Sequence, residues 1–413
     1  MTHINPAYRT APDMNENIRR NEMRLSAEPY AFPGMCRGGE YGWPGDFEGR
    51  ALLAFLCHYQ IGGRKIPALD QMMQTLPEHT NGYLFIGKIP DGKTVHEQQL
   101  SGHNWYLRAM VAHARAFGDP LSRKAAESTF AHLFLPALPF YDSYPLERTK
   151  KEGGVDGHIS ETQGGWLLST DVGCAFMCVD GVARYYELTG DERAKKFLEK
   201  VIGVFLEADM VKRGFQTHTS LTCLRGTLCF YETTGEEKYL QAVIREFDRY
   251  LKYGMTLTYE NFNWFGREDI WTEPCAVVDS LLLATRLYSL TGEDRYRVLA
   301  RRIWFNGLQF CQRENGGAGT SKCVTKEQPV LSVNGYEATQ CCTMRYAEGL
   351  LCAYKNRELL SWDPDAEIIT EPDGRRYCDD RLIVRANGIE RPIFSCNTYD
   401  KDEALSLRLE VLF

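Results

Sequence analysis

One short signal recurs along this chain and constrains its fold more than any other. An apolar run with helical spacing ends in glycine, and an acidic residue then begins the next helical run, at residues 188–191, 234–236 and 290–293, with a weaker copy at 117–119. Glycine readily takes the left-handed conformation that ends a helix, and an acidic side chain is favoured where the next helix begins. Each copy predicts a turn between two antiparallel helices. Repeated hairpins of this kind predict an all-α fold, either an α-solenoid or a closed α/α toroid.

The helical spacing extends over most of the chain before a strand-like pattern takes over. After residue 363 apolar and polar residues alternate at 366–369, 381–385 and 392–395, which predicts a short C-terminal β segment. The predicted helices cover residues 49–59, 101–117, 121–134, 169–188, 193–208, 220–231, 237–253, 275–290, 295–313 and 343–356.

These patterns predict four segments. Residues 1–35 form an N-terminal arm, and residues 36–362 form one helical catalytic barrel. Residues 363–408 form the short β-rich segment. Residues 409–413 read Leu-Glu-Val-Leu-Phe, which resembles the start of a viral protease cleavage tag, so we interpret them as a tag remnant.

Composition excludes several classes of protein. The net charge of −7 argues against a nucleic-acid partner, and 44% hydrophobic residues suffice for a sizeable core. The sequence contains no run of 18 apolar residues, so it does not predict a membrane span. Its polar N-terminus lacks the apolar centre of a signal peptide. Fourteen cysteines without a signal peptide predict a reducing, cytoplasmic location with unpaired thiols. The sequence leaves open whether a signal peptide was removed from an engineered chain. It also leaves open whether the protein forms a homo-oligomer.

Two short motifs together offer three thiols and one carboxylate. Glu273 and Cys275 flank a proline, and the adjacent Cys341 and Cys342 lie 66 residues further on. Three thiolates and a carboxylate complete a tetrahedral ligand set for Zn²⁺. Both motifs precede helical patterns, and a helix N-terminus favours the thiolate form. The sequence therefore predicts a zinc site formed by these four residues.

Core packing is the alternative role for the thiols, because free cysteine behaves as a small apolar side chain. Neighbouring residues of a helix do not share a face, so the adjacent pair at 341–342 fits a core helix poorly. Several other cysteines do lie in apolar helical patterns and are expected in the core: Cys57, Cys174, Cys223, Cys229 and Cys352.

Loops rich in glycine, aromatic and polar residues separate the helical patterns. Aromatic rings can cover the apolar face of a sugar while carboxylates, amides and imidazoles bind its hydroxyls. We therefore predict an oligosaccharide or glycoside substrate. The candidate substrate-binding residues are Asp46, His103, Trp105, His158, Gln163 and His218.

A second carboxylate lies just ahead of the first zinc motif. Glu260 precedes Glu273 by 13 residues and stands beside Tyr259 and Phe262. Aromatic surroundings disfavour a charged carboxylate and suit a general acid. Glu260 is therefore the candidate acid/base of glycoside chemistry, which needs such a group beside a nucleophile.

These motifs resemble those of glycoside hydrolase family 127, the β-L-arabinofuranosidases and their relatives. The resemblance covers roughly residues 40–360 and rests on residues 260–262, 272–275 and 341–342, which are similar to the Glu-x-Phe, Thr/Ala-Glu-x-Cys and Cys-Cys motifs of the family.

The resemblance implies an (α/α)6 barrel and a retaining zinc-dependent glycosidase. It implies that Cys341 is the nucleophile and Glu260 the acid/base, and that Glu273, Cys275, Cys341 and Cys342 bind zinc. His218 and, more loosely, His103 match histidines of the family that contact substrate. The chain departs from the family in two respects. Met177 lies near the position of a third substrate-contacting histidine, and the usual C-terminal β-sandwich is absent from this sequence or only begun in it. The furanose is therefore expected to be arabinofuranose or a related rare sugar.

Two rival interpretations remain open. In the first, the chain is a toroid hydrolase, lyase or isomerase acting on uronate or unsaturated oligosaccharides, with structural thiols. His103, His158 and Glu161 would then matter most. In the second, it is a non-catalytic carbohydrate-binding or assembly protein with a structural zinc.

Overall fold

The computed structural model describes residues 14–148, 157–256, 258–323 and 337–360, together with four short strands between residues 368 and 395. The helices are α1 (Met14–Leu25), α2 (Asp46–Gly62), α3 (Pro67–Gln74), α4 (Glu97–Phe117), α5 (Pro120–Thr129), α6 (Leu135–Ala137), α7 (Cys178–Thr189), α8 (Glu192–Glu207), α9 (Thr217–Thr234), α10 (Glu237–Tyr253), α11 (Pro274–Thr291), α12 (Asp294–Arg302) and α13 (Cys342–Lys355). The strands are β1 (Val95–His96), β2 (Ile159–Gln163), β3 (Trp166–Ser169), β4 (Ile368–Thr370), β5 (Arg376–Cys378), β6 (Asp380–Ala386) and β7 (Ile389–Ser395).

The strands form one small sheet and two antiparallel pairs. The sheet has the order β1-β3-β2, with β1 parallel and β2 antiparallel to β3. Strands β4 and β5 pair with each other, as do β6 and β7. The predictions of a mainly helical chain and of a short C-terminal β segment are confirmed.

The chain divides into two compact units. The N-terminal unit comprises Leu25–Tyr253 and Trp264–Arg267. The C-terminal unit comprises the described residues up to Arg24, Gly254–Asn263 and those from Glu268 onwards. The predicted boundaries at residues 35 and 362 stay predictions, and residues 409–413 lie outside the described residues.

The N-terminal unit has two layers of helices. Helices α2, α4, α7 and α9 pack against each other in chain order, while α5, α8 and α10 pack on α4, α7 and α9 respectively. Sequence explains the layering. Helix α9 is buried along most of its length, whereas α10 buries Leu240, Val243 and Phe247 on one stripe and exposes its charged face.

Glycines allow the inner helices to approach closely. A Cβ at Gly49 of α2 would lie 2.2 Å from the Tyr106 backbone nitrogen of α4. A Cβ at Gly226 of α9 would lie 2.4 Å from the Asp180 backbone nitrogen of α7. Heavy atoms do not pack at such distances, so the helix spacing at these crossings requires a residue without a side chain.

In the C-terminal unit, α11 packs against both α12 and α13. Helix α1 belongs to the same unit, and it lies within the predicted N-terminal arm, for which no helix was predicted. Its Asn17 Nδ2 donates to Gln312 Oε1 (2.7 Å), and Asn21 Nδ2 donates to the Gly316 carbonyl (3.2 Å). Isolated helices of this length are marginal, so these tertiary contacts explain what local sequence did not predict.

Three further differences concern the elements themselves. Residues 158–166, predicted as a loop, largely form β2, and Ser169, predicted to begin a helix, ends β3. The helix predicted over residues 295–313 is regular only to Arg302 and continues as a π-helical turn at Ile303–Leu308. Strand β1 and helix α3 were not predicted. Two- to five-residue strands carry too few alternating positions to be separated from loops by periodicity.

No helix in the described part of the chain combines the length and apolar character needed to cross a bilayer. None of the twelve cysteines that the structure describes forms a disulfide bond. The five thiols expected in the core are buried there. The cytoplasmic location stays a prediction.

Candidate metal centre and active site

The two cysteine motifs lie at the N-termini of the paired helices α11 and α13. Glu273 is the N-cap of α11, and Pro274 takes the first helical position, where its missing N–H costs no hydrogen bond. Cys341 is the N-cap of α13, and Cys342 begins that helix. Because α11 and α13 pack together, motifs separated by 66 residues meet at one end of the pair.

Four side chains converge at this end. One ligand atom from each of Glu273, Cys275, Cys341 and Cys342 lies within 4.8 Å of the other three. The Sγ atom of Cys342 is 3.4 Å from Sγ of Cys341 and 3.7 Å from Sγ of Cys275. Cys341 Sγ lies 4.0 Å from Glu273 Oε1. Three of the four residues are buried, and Cys341 is half-buried.

The donor spacing fits a tetrahedral cation. Zinc–sulfur bonds of about 2.3 Å place two tetrahedral sulfur ligands roughly 3.8 Å apart, and the two sulfur–sulfur distances of 3.4 and 3.7 Å lie close to that value. The chemistry of three thiols with one carboxylate also suits zinc rather than calcium or magnesium, which prefer oxygen donors. The residues present therefore fit the predicted metal.

Burial opposes the thiolate form of two of these cysteines. It raises the pKa of Cys275 well above its ordinary value, and the neighbouring thiols add to the effect. The hydrogen bond from Cys275 lowers the pKa of Cys342, but its contact with Cys341, its burial and the nearby carboxylate of Glu273 together raise that pKa well above the ordinary value. The helix dipole alone thus does not ionise these thiols, and a cation would have to displace their protons.

Two asparagines hold the Glu273 ligand in place, and sequence reasoning missed their role. The backbone N–H of Glu273 donates to Asn261 Oδ1 (2.8 Å). With its amide in the orientation that its surroundings require, Asn263 Nδ2 donates to Glu273 Oε2 (2.7 Å) and Asn263 Oδ1 accepts from Trp271 Nε1 (3.1 Å). Such outer contacts fix the orientation of metal-ligating carboxylates. The signal available in the sequence was that both amides lie just after Glu260, 12 and 10 residues before Glu273.

Glu260 belongs to the same C-terminal unit and is almost fully buried. Thr258 Oγ1 donates to Glu260 Oε2 (2.7 Å), and the Glu260 backbone N–H donates to Thr256 Oγ1 (3.1 Å). The preceding Tyr259 has a φ of 60°, in the left-handed region that bulky residues rarely occupy. Strain of this kind persists where surrounding contacts over-determine it, and it clusters at functional sites.

Cys323 lies outside the four-residue cluster. Its thiol donates to the Asn261 carbonyl at 3.5 Å. Burial, and then the charge of Glu260, raise the pKa of Cys323. The thiol therefore lies near the Glu260 segment as a packed, protonated side chain.

The predicted substrate-binding residues all lie in the N-terminal unit. Two of them stack on each other, and a third is joined to this stack through Arg50. Trp105 lies parallel to His218, with ring centroids 5.7 Å apart and an interplanar angle of 11°. The Arg50 guanidinium covers the Trp105 ring at 4.1 Å and pairs with Asp46 at 2.8 Å. Asp46, Trp105 and His218 are thus brought together, with Asp46 acting through Arg50.

His103 has a different environment. Its Nδ1 lies 2.8 Å from the Gln99 carbonyl, and the Ile86 N–H donates to its Nε2 (3.2 Å). Burial lowers the pKa of His103 to about 4. Both ring nitrogens hold backbone groups, so a sugar contact would require one of these bonds to break. The substrate role of His103 stays a prediction that this arrangement does not favour.

The last two candidate substrate-binding residues lie at the two ends of strand β2. His158 is exposed, and its backbone bonds to Thr170 across the turn. Gln163 ends β2 and donates from Nε2 to the Glu147 carbonyl (3.2 Å). Neither residue belongs to the Trp105 stack, and their substrate roles stay predictions.

Comparisons with known proteins give structural likenesses alone. No protein-family model matches the chain, and no curated protein matches it. A solved glycoside hydrolase matches with a TM-score of 0.55 and 14% identity, covering 91% of this chain and 62% of its own. The cellobiose 2-epimerase of Bacillus thermoamylovorans matches with a TM-score of 0.52 and 14% identity, over 81% and 99%. A family 127 β-arabinofuranosidase matches with a TM-score of 0.51 and 12% identity, over 91% and 61%.

These likenesses show the fold class, which is the all-α α/α toroid shared by glycosidases and sugar epimerases. The chain spans about three fifths of the length of the two glycosidases. At such low identity the likenesses fix the fold, and the chemistry has to be argued from the residues of the site.

Proposed function

We propose that this chain is a retaining glycoside hydrolase of the zinc-thiolate kind, acting on a β-L-arabinofuranoside or a related furanoside. The observation that carries the proposal is the convergence of Glu273, Cys275, Cys341 and Cys342 within 4.8 Å. The family 127 likeness supports it, because a β-arabinofuranosidase shares the fold over 91% of this chain.

Glu273, Cys275, Cys341 and Cys342 would hold the zinc ion. When bound, zinc would keep the thiols deprotonated at neutral pH. Without a cation, burial raises the pKa of Cys275, and at Cys342 the contact with Cys341 and burial outweigh the hydrogen bond from Cys275 that lowers the pKa. Among the three thiols, Cys341 is the half-buried one. A nucleophile has to reach its substrate, so exposure favours Cys341 over the two buried thiols.

The proposed reaction has two displacements. Glu260 gives its proton to the leaving oxygen while Cys341 Sγ attacks the anomeric carbon, so that the C–O bond breaks and a C–S bond forms. Glu260, now a carboxylate, takes a proton from water, whose oxygen attacks the same carbon and breaks the C–S bond. Two inversions give net retention, and Cys341 returns as thiolate. A contribution of Asp46, His103, Trp105, His158, Gln163 and His218 to sugar binding is part of the proposal.

Zinc analysis and a panel of nitrophenyl furanosides and pyranosides test this function. We expect about one zinc per chain and turnover of a furanoside. Loss of an acid/base group costs about 10²- to 10⁴-fold in rate. Glu260→Gln should show such a loss, and Cys341→Ser should abolish turnover. Cys229→Ser changes a buried thiol of helix α9 and should remain active. Full activity of Glu260→Gln would exclude the mechanism.

Epimerisation is a second candidate, because a cellobiose 2-epimerase shares the fold over 81% of this chain with a TM-score of 0.52. Mass spectrometry of disaccharide incubations separates the two. Hydrolysis gives two monosaccharides, whereas an epimerase leaves the disaccharide mass unchanged and alters its chromatographic retention. Bound zinc without either product would support the non-catalytic interpretation.

A further inference from the structure

A closed circuit of hydrogen bonds surrounds Glu260. The backbone N–H of Glu260 donates to Thr256 Oγ1 (3.1 Å), and Thr256 Oγ1 lies 3.0 Å from Thr258 Oγ1. Thr258 Oγ1 donates to Glu260 Oε2 (2.7 Å). The circuit therefore begins at the backbone of Glu260 and ends at its carboxyl group. All three residues are buried.

The backbone sets the direction of this circuit. An amide N–H can only donate, so Thr256 Oγ1 accepts from it and can pass its own hydrogen to Thr258 Oγ1. Thr258 then directs its hydrogen to Glu260 Oε2. Hydrogen bonds arranged head to tail polarise each other in a low-dielectric interior, so the last bond in the series is strengthened.

The backbone around the circuit is fixed as well. Two bonds close the turn: the Thr256 N–H donates to the Glu260 carbonyl (3.1 Å), and the Tyr259 N–H donates to the Thr256 carbonyl (3.1 Å). The Tyr259 carbonyl lies against Gly307, where an added Cβ would approach that oxygen to 2.6 Å. The left-handed Tyr259 thus precedes a residue whose backbone N–H meets the Thr256 hydroxyl and whose carboxyl group meets the Thr258 hydroxyl.

We propose that Thr258, supported by Thr256, is a positioning residue that binds Glu260 Oε2 and orients this carboxyl group for proton transfer to and from the substrate. The inference rests on the proposed function, since it assumes that Glu260 is the acid/base. It deepens that function because it names two residues, outside the motifs that carry the family resemblance, that orient the acid/base group. A carboxyl with one oxygen occupied by a fixed donor presents its proton in a single geometry, as efficient transfer requires.

Matched variants test the assignment. Thr258→Val removes the hydroxyl at nearly constant volume, and Thr258→Ser retains it. Because a hydrogen bond to a carboxylate favours the charged form, its loss should move the basic limb of the pH profile of kcat/KM upward by about 1 pH unit. We expect this shift, with a fall in kcat, in Thr258→Val, and a profile near wild type in Thr258→Ser. Equal profiles for the two variants would overturn the proposal.

A second readout does not depend on turnover. The infrared difference spectrum between each protein and its Glu260→Gln derivative reports the pH at which the Glu260 carboxylate band appears. We expect that pH to rise by about 1 unit in Thr258→Val and to stay unchanged in Thr258→Ser. If no substrate is turned over but the band shifts, the proposed function fails and the hydrogen-bond circuit stands. If turnover is present and the band does not shift, the positioning role alone is wrong.

Discussion

Arg345 and Asp279 form an ion pair between α13 and α11 in which neither side chain is exposed. Asp279 lies four residues, or about one helical turn, after Cys275, and Arg345 lies four residues after Cys341. The pair therefore fastens the two helices together one turn below the thiols. Removal of one partner of such a pair leaves a buried charge, which is far more costly than loss of an exposed ion pair.

We predict that Asp279→Ala lowers the free energy of unfolding by about 3 kcal/mol and weakens zinc retention, because the buried Arg345 then loses its carboxylate partner on α11. Urea denaturation and zinc analysis after dialysis measure the two effects. Glu127→Ala breaks the exposed Arg123–Glu127 pair and should cost less than about 1 kcal/mol. Equal losses in the two variants would contradict this role of the buried pair.

Gly226→Ala should lower the free energy of unfolding by about 1–3 kcal/mol, because its Cβ would lie 2.4 Å from the Asp180 backbone of α7. Gly203→Ala is the matched control within helix α8, since nothing lies within 4 Å of the added carbon. That control should stabilise the protein by roughly 0.5–1 kcal/mol through helix propensity. Thermal denaturation of both variants measures the difference, and the same sign for both would refute the close-approach argument.

Stability should fall with acidity through His103. Burial lowers its folded-state pKa to about 4, below the ordinary value of 6.5, so the unfolded chain binds the proton first. This contribution is complete above pH 6.5 and is lost as the pH falls from about 6.5 to about 4, for a total of about 3 kcal/mol. Urea denaturation between pH 7 and 5 should show a smaller loss for His103→Gln than for the wild-type chain. Identical losses would assign the acid sensitivity to other groups.

Zinc affinity should rise steeply with pH. Burial raises the pKa of Cys275 well above its ordinary value, and the neighbouring thiol and burial do so at Cys342, so zinc has to displace a proton from each. Two released protons correspond to a hundredfold lower Kd for each pH unit between about 6 and 8. Competition with a chromophoric chelator measures this slope. A Kd independent of pH would mean that the thiols are ionised before the metal binds.

The positions of the metal-ligand candidates could be predicted from the sequence because their spacing fits no helix face and their chemistry favours one class of metal. The Gly-acidic turns likewise predicted hairpins such as α7–α8 and α9–α10, since a left-handed glycine and an N-terminal acid act locally. Helix α1 and the sheet of β1, β2 and β3 were not predicted. Their short segments depend on partners far away in the chain.

The sequence by itself thus determined the helical class and which residues carry thiols and carboxylates, because periodicity and side-chain chemistry are local properties. Tertiary structure alone decided that Asn263 and Asn261 form hydrogen bonds with Glu273 and that the Thr258 hydroxyl donates to Glu260. It also decided that backbone groups contact both ring nitrogens of His103. The physical reason is that a hydrogen bond is set by distance and direction between two atoms. Only the packing of the helices, and of the loops between them, brings such atoms to the required positions.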